Sequence, residues 1–479
     1  MKMLVGGRPT DARDGATLSV YDPAAARLID TVPAATKQDI EEALENAEQG
    51  AKEWRACPLH RRIAVIRTFL QKFEDAAEEL TALLQRETGK TTAAARGCIL
   101  GSRALGEHYA ELARTLGGET FAPDNWAGTE NALVMTVREP LGVVVCILPF
   151  NFPIDSFMHK VVPALLMGNA VIIKPASETP LTDIRVTELL LESGVPGNAA
   201  QIVTGSGAKI GAWLTADARV ALINLTGSTR VGIEIAQNAA AHLHRLHLEL
   251  GGNDPLIILP DADLNTAVEE AFASRIGNAG QVCCAGKRFL IPRDRKEAFL
   301  DGLIRRLRAV RVGEPADPQT DCGPLISERA AKELEENLRH CVSQGATLRF
   351  GGRRLQGAYF EPTVLEITPE VDAARDLELF GPVWSVLPYD TVDDAIVLAN
   401  HTMYGLSSGV LGKDLSQMMY VARNIQAGAC VIGGSGAYRT SDQPFGGYKM
   451  SGLGREGGRY TLEELSQLKT IVLKTPYSF

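Results

Sequence analysis

A thiol, an amide, two carboxyls and an ammonium stand in this sequence at positions where each could do chemistry. Cys283 closes Gly280-Gln281-Val282-Cys283, a glycine-flanked segment that follows an apolar helical run at 267–276. A loop cysteine can be a nucleophile, whereas apolar burial raises the thiol pKa and leaves it inert. The segment alone leaves both readings open, because free cysteine is among the most buried residue types. Its neighbour Cys284 is a second thiol, and adjacent cysteines rarely bridge without strain. Asn151, in LPFNFP beyond a predicted strand end, could donate to a developing oxyanion or satisfy a turn. Glu249 sits between leucines in LHLELGG, where apolar surroundings raise a carboxyl toward the range of a general base. Glu378 in LELFGPV repeats that setting, and an arginine could pair with either. Lys174 ends the run VII before Pro175, placing an ammonium at a strand's carboxyl edge for a ribose, a phosphate or solvent. Gly205-Ser206-Gly207 and Gly227-Ser228 each follow a strand, and the second opens a helix whose amides could meet a pyrophosphate. Neither has the spacing G-x-G-x-x-G, so tight turns explain them equally well.

The elements that must position these groups fall into three regions. Residues 36–116 read as largely helical, with Thr36 as N-cap, Asp39 three residues on, and Ile40, Ala43, Leu44 and Ala47 along one face. Pro58 opens the next helix. From about residue 130, β-branched runs at 143–148, 170–173, 201–203 and 221–225 alternate with helical stretches such as 182–192 and 230–241. That alternation predicts a parallel sheet covered on both faces. A second alternation, with strands at 255–259 and 289–291 and helices from 264 and at 327–344, predicts a second α/β domain beyond a boundary near Gly251-Gly252. The glycine-rich stretch 446–458 reads as a structured loop.

Composition narrows the class. At 479 residues, two or three domains are expected. A net charge of -9 without basic clusters argues against nucleic acid. No stretch approaches the roughly 18 apolar residues of a membrane span, and the N-terminus lacks an apolar signal core, so a cytoplasmic protein is expected. The eight dispersed cysteines form neither a disulfide framework nor metal knuckles, and no metal is expected.

The segments PFNFP, KPASETP, LTGSTRVG, LELGGNDP, GNAGQVCCAGKR, ELFGPV and PFGGYKMSGLGRE resemble, in order and approximate spacing, the NAD(P)-dependent aldehyde dehydrogenase superfamily from about residue 15 to the C-terminus. The resemblance implies an α/β fold with three parts. A Rossmann-like cofactor domain takes residues 1–118 and 141–251, a catalytic domain 252–449, and bridging, oligomerising β segments 119–140 and 450–479. It implies Cys283 as nucleophile, Asn151 with the Cys283 amide as oxyanion hole, and Glu249 as the base that activates water. Lys160 and Glu456 match a proton-relay pair. The cofactor NAD(P)+ would meet Ile147, Pro149, Lys174, Ser177, Gly207, Gly211, Thr226, Gly227, Ser228, Leu250, Glu378 and Phe380. A thiolate, an oxyanion donor and a base are what a thiohemiacetal and then a hydrolysed thioester require. CoA-acylating relatives lack the glutamate found at 249, so a free acid is the expected product.

Ser177 stands where NAD-strict relatives often carry glutamate, so NADP is expected to be accepted, with Glu178 next door able to restore a bias to NAD. For the substrate, succinic semialdehyde dehydrogenases place arginines where this chain has His159 and Gly277, and Val282 leaves the position before the nucleophile uncharged. A neutral or weakly polar aldehyde is therefore expected, lined by Phe150, Phe157, Tyr438 and Phe445. Arg439 and His159 keep a small acidic semialdehyde as the alternative. A nicotinamide-independent thiol esterase and a non-catalytic structural relative are the other classes, and retention of Cys283, Glu249, Asn151 and Lys174 together argues against the second. Stretches 131–139 and 470–473 resemble the family's bridging strands, and isolated strands bury too little to stand alone, so the resemblance implies a homodimer or homotetramer.

Overall fold

The computed structural model describes residues 1–476. Thr36 and Asp39 form the expected capping box at the start of helix Lys37–Ala56, and Pro58 caps Leu59–Asp75. Helices Ala77–Thr88 and Thr92–Leu112 complete the N-terminal helical region.

The first sheet has eight strands, in the order Gly452–Leu453, Arg245–Glu249, Val220–Thr226, Val143–Ile147, Ala170–Lys174, Ala200–Ile202, Met3–Val5, Arg8–Thr10. Its five central strands are parallel. Successive side chains on a strand face opposite ways, and the strand Val143–Ile147 separates two cores accordingly. Val144 and Cys146 pack with Phe69, Phe73 and Phe157 on one face. Val143 and Val145 pack with Ile40, Leu44 and Ile235 on the other. Because the chain fills one side of Val143–Ile147 first and then crosses to Val220–Thr226, the strand order reverses between those two strands. A crevice opens there at the carboxyl edge, the place where open α/β sheets gather ligands.

The second sheet has seven strands, parallel except for Thr347–Phe350 at its edge, and its first strand in the chain is Pro255–Ile258. A three-stranded sheet pairs Ala132–Pro140 with Ser466–Lys474 over nine residues and adds Thr120–Phe121. The described part of the C-terminal range, 450–476, is therefore not one bridging segment. Gly452–Leu453 extends the first sheet, and helix Gly458–Glu464 packs on Thr92–Leu112 and Pro153–Leu166. Among the described residues, no helix is long and apolar enough to cross a membrane.

Candidate active site

Strand register assembles one side of the site. Lys174 is paired with Ile147, Leu225 with Ile147, and Thr226 with Glu249, so residues from four strands stand in one row at the carboxyl edge. Beyond that row, a cavity of about 250 Å³ is lined by Pro149, Asn151, Thr226, Glu249, Val282, Cys283, Cys284, Arg439, Phe445 and Glu456, together with residues of the helix that begins at Pro153.

The nucleophile loop comes from the second sheet's side. Helix Leu264–Ile276 ends in a left-handed run, with Asn278 and Ala279 at φ 51° and 52° and Gly280 at 74°. Such conformations cost non-glycine residues energy and persist where the surroundings fix them. Gly280 is required for more than its φ: a Cβ there would lie 2.1 Å from the Gly381 carbonyl oxygen. The glycine thus serves a close approach between the Cys283 loop and the Glu378 loop, not the flexibility its sequence suggests. Lys287, whose position in AGKR carries no local signal of a site role, ties the same loops. Its Nζ donates to the carbonyls of Val282 and Cys283 and lies 3.1 Å from Glu378.

Cys283 and Cys284 are neighbouring thiols whose ionisations oppose each other: the Cys284 thiol, reinforced by burial, pushes Cys283 well above the ordinary thiol value, while Cys284 itself is drawn down to about 7, by Cys283 first and with Arg439 assisting. Asn151 Nδ2 donates one hydrogen to the Gln281 carbonyl at 3.0 Å, leaving its second N–H for the cavity. The two residues are separated by 130 positions in sequence.

Glu249 is buried, and burial raises its carboxyl well above the ordinary value, with Glu456 adding to the effect. Among the described residues it has no arginine ion pair, and its carboxyl oxygens have no hydrogen-bond partner. Glu456 has the opposite fate. Burial alone would raise it, but the cations Lys160 and Arg439 override that and hold it well below the usual range. Lys160 Nζ donates to it at 2.8 Å and to Asn224 at 2.9 Å, and Arg439 lies at 3.2 Å with its guanidinium 4.2 Å over the Phe445 ring. His159 Nδ1 is 2.7 Å from the Tyr109 hydroxyl, and burial drops it to about 3, so the ring is neutral.

On the far side of the row, burial lowers the Lys174 ammonium to about 8, and Nζ makes no hydrogen bond or ion pair with another described residue. Gly207 is beside it: a Cβ there would lie 3.6 Å from Nζ. Ser177 Oγ donates to the Gly205 carbonyl. Gly211 is one turn further along helix Gly207–Thr215. Gly227 N–H donates to the Glu249 carbonyl, and Ser228 is the N-cap of Thr229–Ala239, its hydroxyl accepting from Val231 N–H. Leu250 packs against Gly232, where a Cβ would clash. A buried cation without a partner, beside small residues and a helix N-terminus, fits the ribose and phosphates of a dinucleotide.

Three expected lining residues are elsewhere. Phe157 is fully buried in the helical core, 6.4 Å from Phe69. Tyr438 is 64% exposed. Phe150 turns to an edge-on contact with Phe380 at 6.1 Å and does not line the cavity. In their place stand Phe152, Asp155, Ser156 and Ala437. Positions 152, 155, 156 and 159 form one helical stripe, and that spacing from Asn151 onward was the available signal. Asp155 is the notable addition, for burial raises its carboxyl and, among the described residues, its Oδ2 has no hydrogen-bond partner.

The family profile described as the aldehyde dehydrogenase family matches residues 10–471. Among solved structures, an NAD-dependent aldehyde dehydrogenase from Sinorhizobium meliloti is 36% identical, over 99% of this chain and 95% of that one, with a TM-score of 0.95. An NADP dependent enzyme of E. coli is 31% identical, over 99% and 98% of the two chains, at 0.95. A betaine aldehyde dehydrogenase from Staphylococcus aureus, solved with NAD+, is 32% identical, over 100% and 96%, at 0.96. Fold, profile and cavity agree, and the chain belongs to the aldehyde dehydrogenase family.

Proposed function

We propose that this protein oxidises a neutral or weakly polar aldehyde to the free carboxylic acid. The observation that carries this reading is the single cavity that Cys283, Asn151 and Glu249 share. In it, the Cys283 thiolate adds to the aldehyde carbon, and the second Asn151 N–H and the Cys283 backbone N–H receive the oxyanion. Bound NAD(P)+ supplies the hydride acceptor. Water then adds to the thioester carbon as Glu249 takes its proton, and the C–S bond breaks to return the thiolate. Lys160 and Glu456 stand behind Glu249 as groups able to pass that proton onward.

Lys174, Ser177, Gly207 and the amides after Ser228 would hold the adenosine and pyrophosphate, and Glu378 the nicotinamide ribose. Residue 177 brings no carboxylate, and Glu178 lies 3.9 Å from Arg329, which supports acceptance of NADP. A kcat/KM preference for NAD above about a hundredfold, about 2.7 kcal/mol, would refute that.

The cavity's charges favour a neutral substrate over an acidic semialdehyde. Arg439 is held in an ion pair with Glu456 and stacked on Phe445, His159 is uncharged, and Asp155 would repel a distal carboxylate. The exposed Leu468, Val472 and Leu473 on the terminal strand support assembly with a second copy as a homodimer or homotetramer. The test is an aldehyde panel followed by NAD(P)H absorbance, with wild type and Cys283→Ala. Reduction is expected for small neutral aldehydes and lost in the variant, and turnover that survives the substitution would overturn the mechanism.

A further inference from the structure

His247 and Glu249 are alternate residues of the strand Arg245–Glu249, so both side chains point to the same face. His247 is completely buried. Its Nε2 lies 3.5 Å from Glu249 Oε1, and among the described residues neither ring nitrogen nor either carboxyl oxygen has a hydrogen-bond partner. Gly454 closes over the ring, for a Cβ there would lie 2.8 Å from the His247 Cδ2. Each unpartnered buried polar group carries a desolvation cost, and these two orphaned groups are one small rotation from satisfying each other.

Burial penalises both charged forms, raising Glu249 and lowering His247 to about 4. The surrounding groups do not reverse this. Glu249 faces Glu456 from the C-terminal loop, Lys160 from helix Pro153–Leu166, and Arg439 and Arg455. His247 faces Lys160, Glu456, Glu464 and Arg439. The acid O–H is then the strongest unsatisfied donor of the pair, and Nε2 is the acceptor within reach.

We propose that His247 is the positioning partner of the hydrolytic base: at rest, protonated Glu249 donates Oε1–H to Nε2 of His247, which holds the carboxyl in one rotamer as an acid. To act as a base, Glu249 must break that bond and release its proton to solvent, after which the carboxylate takes a proton from the attacking water. An acceptor for the protonated form favours that form, so His247 raises the pH at which hydrolysis switches on. This inference rests on the reading of Cys283 as the acylated thiol and Glu249 as its hydrolytic base.

p-Nitrophenyl acetate tests it without a known aldehyde, since the nitrophenolate burst reports acylation and the steady phase deacylation. In His247→Val, an unchanged burst amplitude is expected, with the acid limb of deacylation moved down by about one pH unit. Deacylation below the limb is then about tenfold faster than in wild type. His247→Gln, whose amide oxygen can accept, is expected to restore the wild-type limb. A limb that stays in place or moves up in His247→Val overturns the inference. As a measurement free of His247 variants, a protonated-carboxyl infrared band is expected in the wild type at neutral pH and lost in Glu249→Gln; its absence from the wild type overturns the inference too. No burst in the wild type, or deacylation in Glu249→Gln at the wild-type rate, instead removes the underlying assignment and the inference with it.

Discussion

Gly280→Ala is the most exacting test of how the nucleophile is placed. An added Cβ would lie 2.1 Å from the Gly381 carbonyl oxygen, while real Cβ contacts essentially never fall below 3.0 Å, so the two loops must separate by about 0.9 Å. Both loops matter: one carries Cys283 and the other Glu378 and Phe380. A left-handed φ of 74° adds a conformational cost of about 1 kcal/mol for alanine. Misplacing a reacting group by about 1 Å costs on the order of a hundredfold in rate, or about 2.7 kcal/mol of barrier. Gly277→Ala is the control. It sits three residues earlier, with φ -57° and nothing within 4 Å of an added Cβ. Stopped-flow acylation by p-nitrophenyl acetate reads the effect directly. Gly280→Ala should acylate about a hundredfold more slowly and Gly277→Ala within twofold of wild type. A Gly280→Ala rate within threefold of wild type would refute the argument that this approach sets the position of Cys283.

Glu456→Gln strands the fully buried Lys160 ammonium with Asn224 as its one charge-free acceptor, and should cost about 3 kcal/mol of stability. Lys160→Met should cost less, because Arg439 still pairs with Glu456; thermal unfolding that ranks the two the other way would contradict the network. The Glu456 carboxyl is depressed in the folded protein, so its stabilisation is complete above the ordinary carboxyl pKa and lost as pH falls through the folded value. The melting-temperature gap between wild type and Glu456→Gln should therefore narrow steadily below about pH 4.5. Lys174→Ala should weaken NAD(P)H binding by about tenfold in a fluorescence titration while sparing the ester burst, as a lost hydrogen bond to a charged donor predicts. Asp155→Asn should raise kcat/KM for succinic semialdehyde relative to propanal by about tenfold, the effect of removing one like charge across the cavity; no change would show that Asp155 does not face the substrate.

Much of the architecture is legible in the chain because periodicity is local. The capping pair Thr36 and Asp39, the β-branched runs and the strand-ending positions of Lys174 and Glu249 are set within a few residues of themselves. Lining residues are a different matter. Phe157 and His159 share a helix and a sequence neighbourhood, yet one enters the helical core and the other borders the cavity, because helical phase and not residue type decides the face. The glycine before the nucleophile carries the same division: its presence is visible, but its reason, a carbonyl from a loop about a hundred residues away, is not.

Residue types and their order alone determined the chemistry on offer, a thiol, an oxyanion donor and a carboxyl base at the ends of predicted elements, because reactivity belongs to functional groups. Only the tertiary structure decided which of those groups keep their charge. Lys160 meets Glu456 across 296 positions, Arg439 shares the same carboxylate, and among the described residues Glu249 has a buried histidine beside it and no hydrogen-bonded partner. Partnership and desolvation depend on which distant segments the fold brings together, and those two terms set protonation.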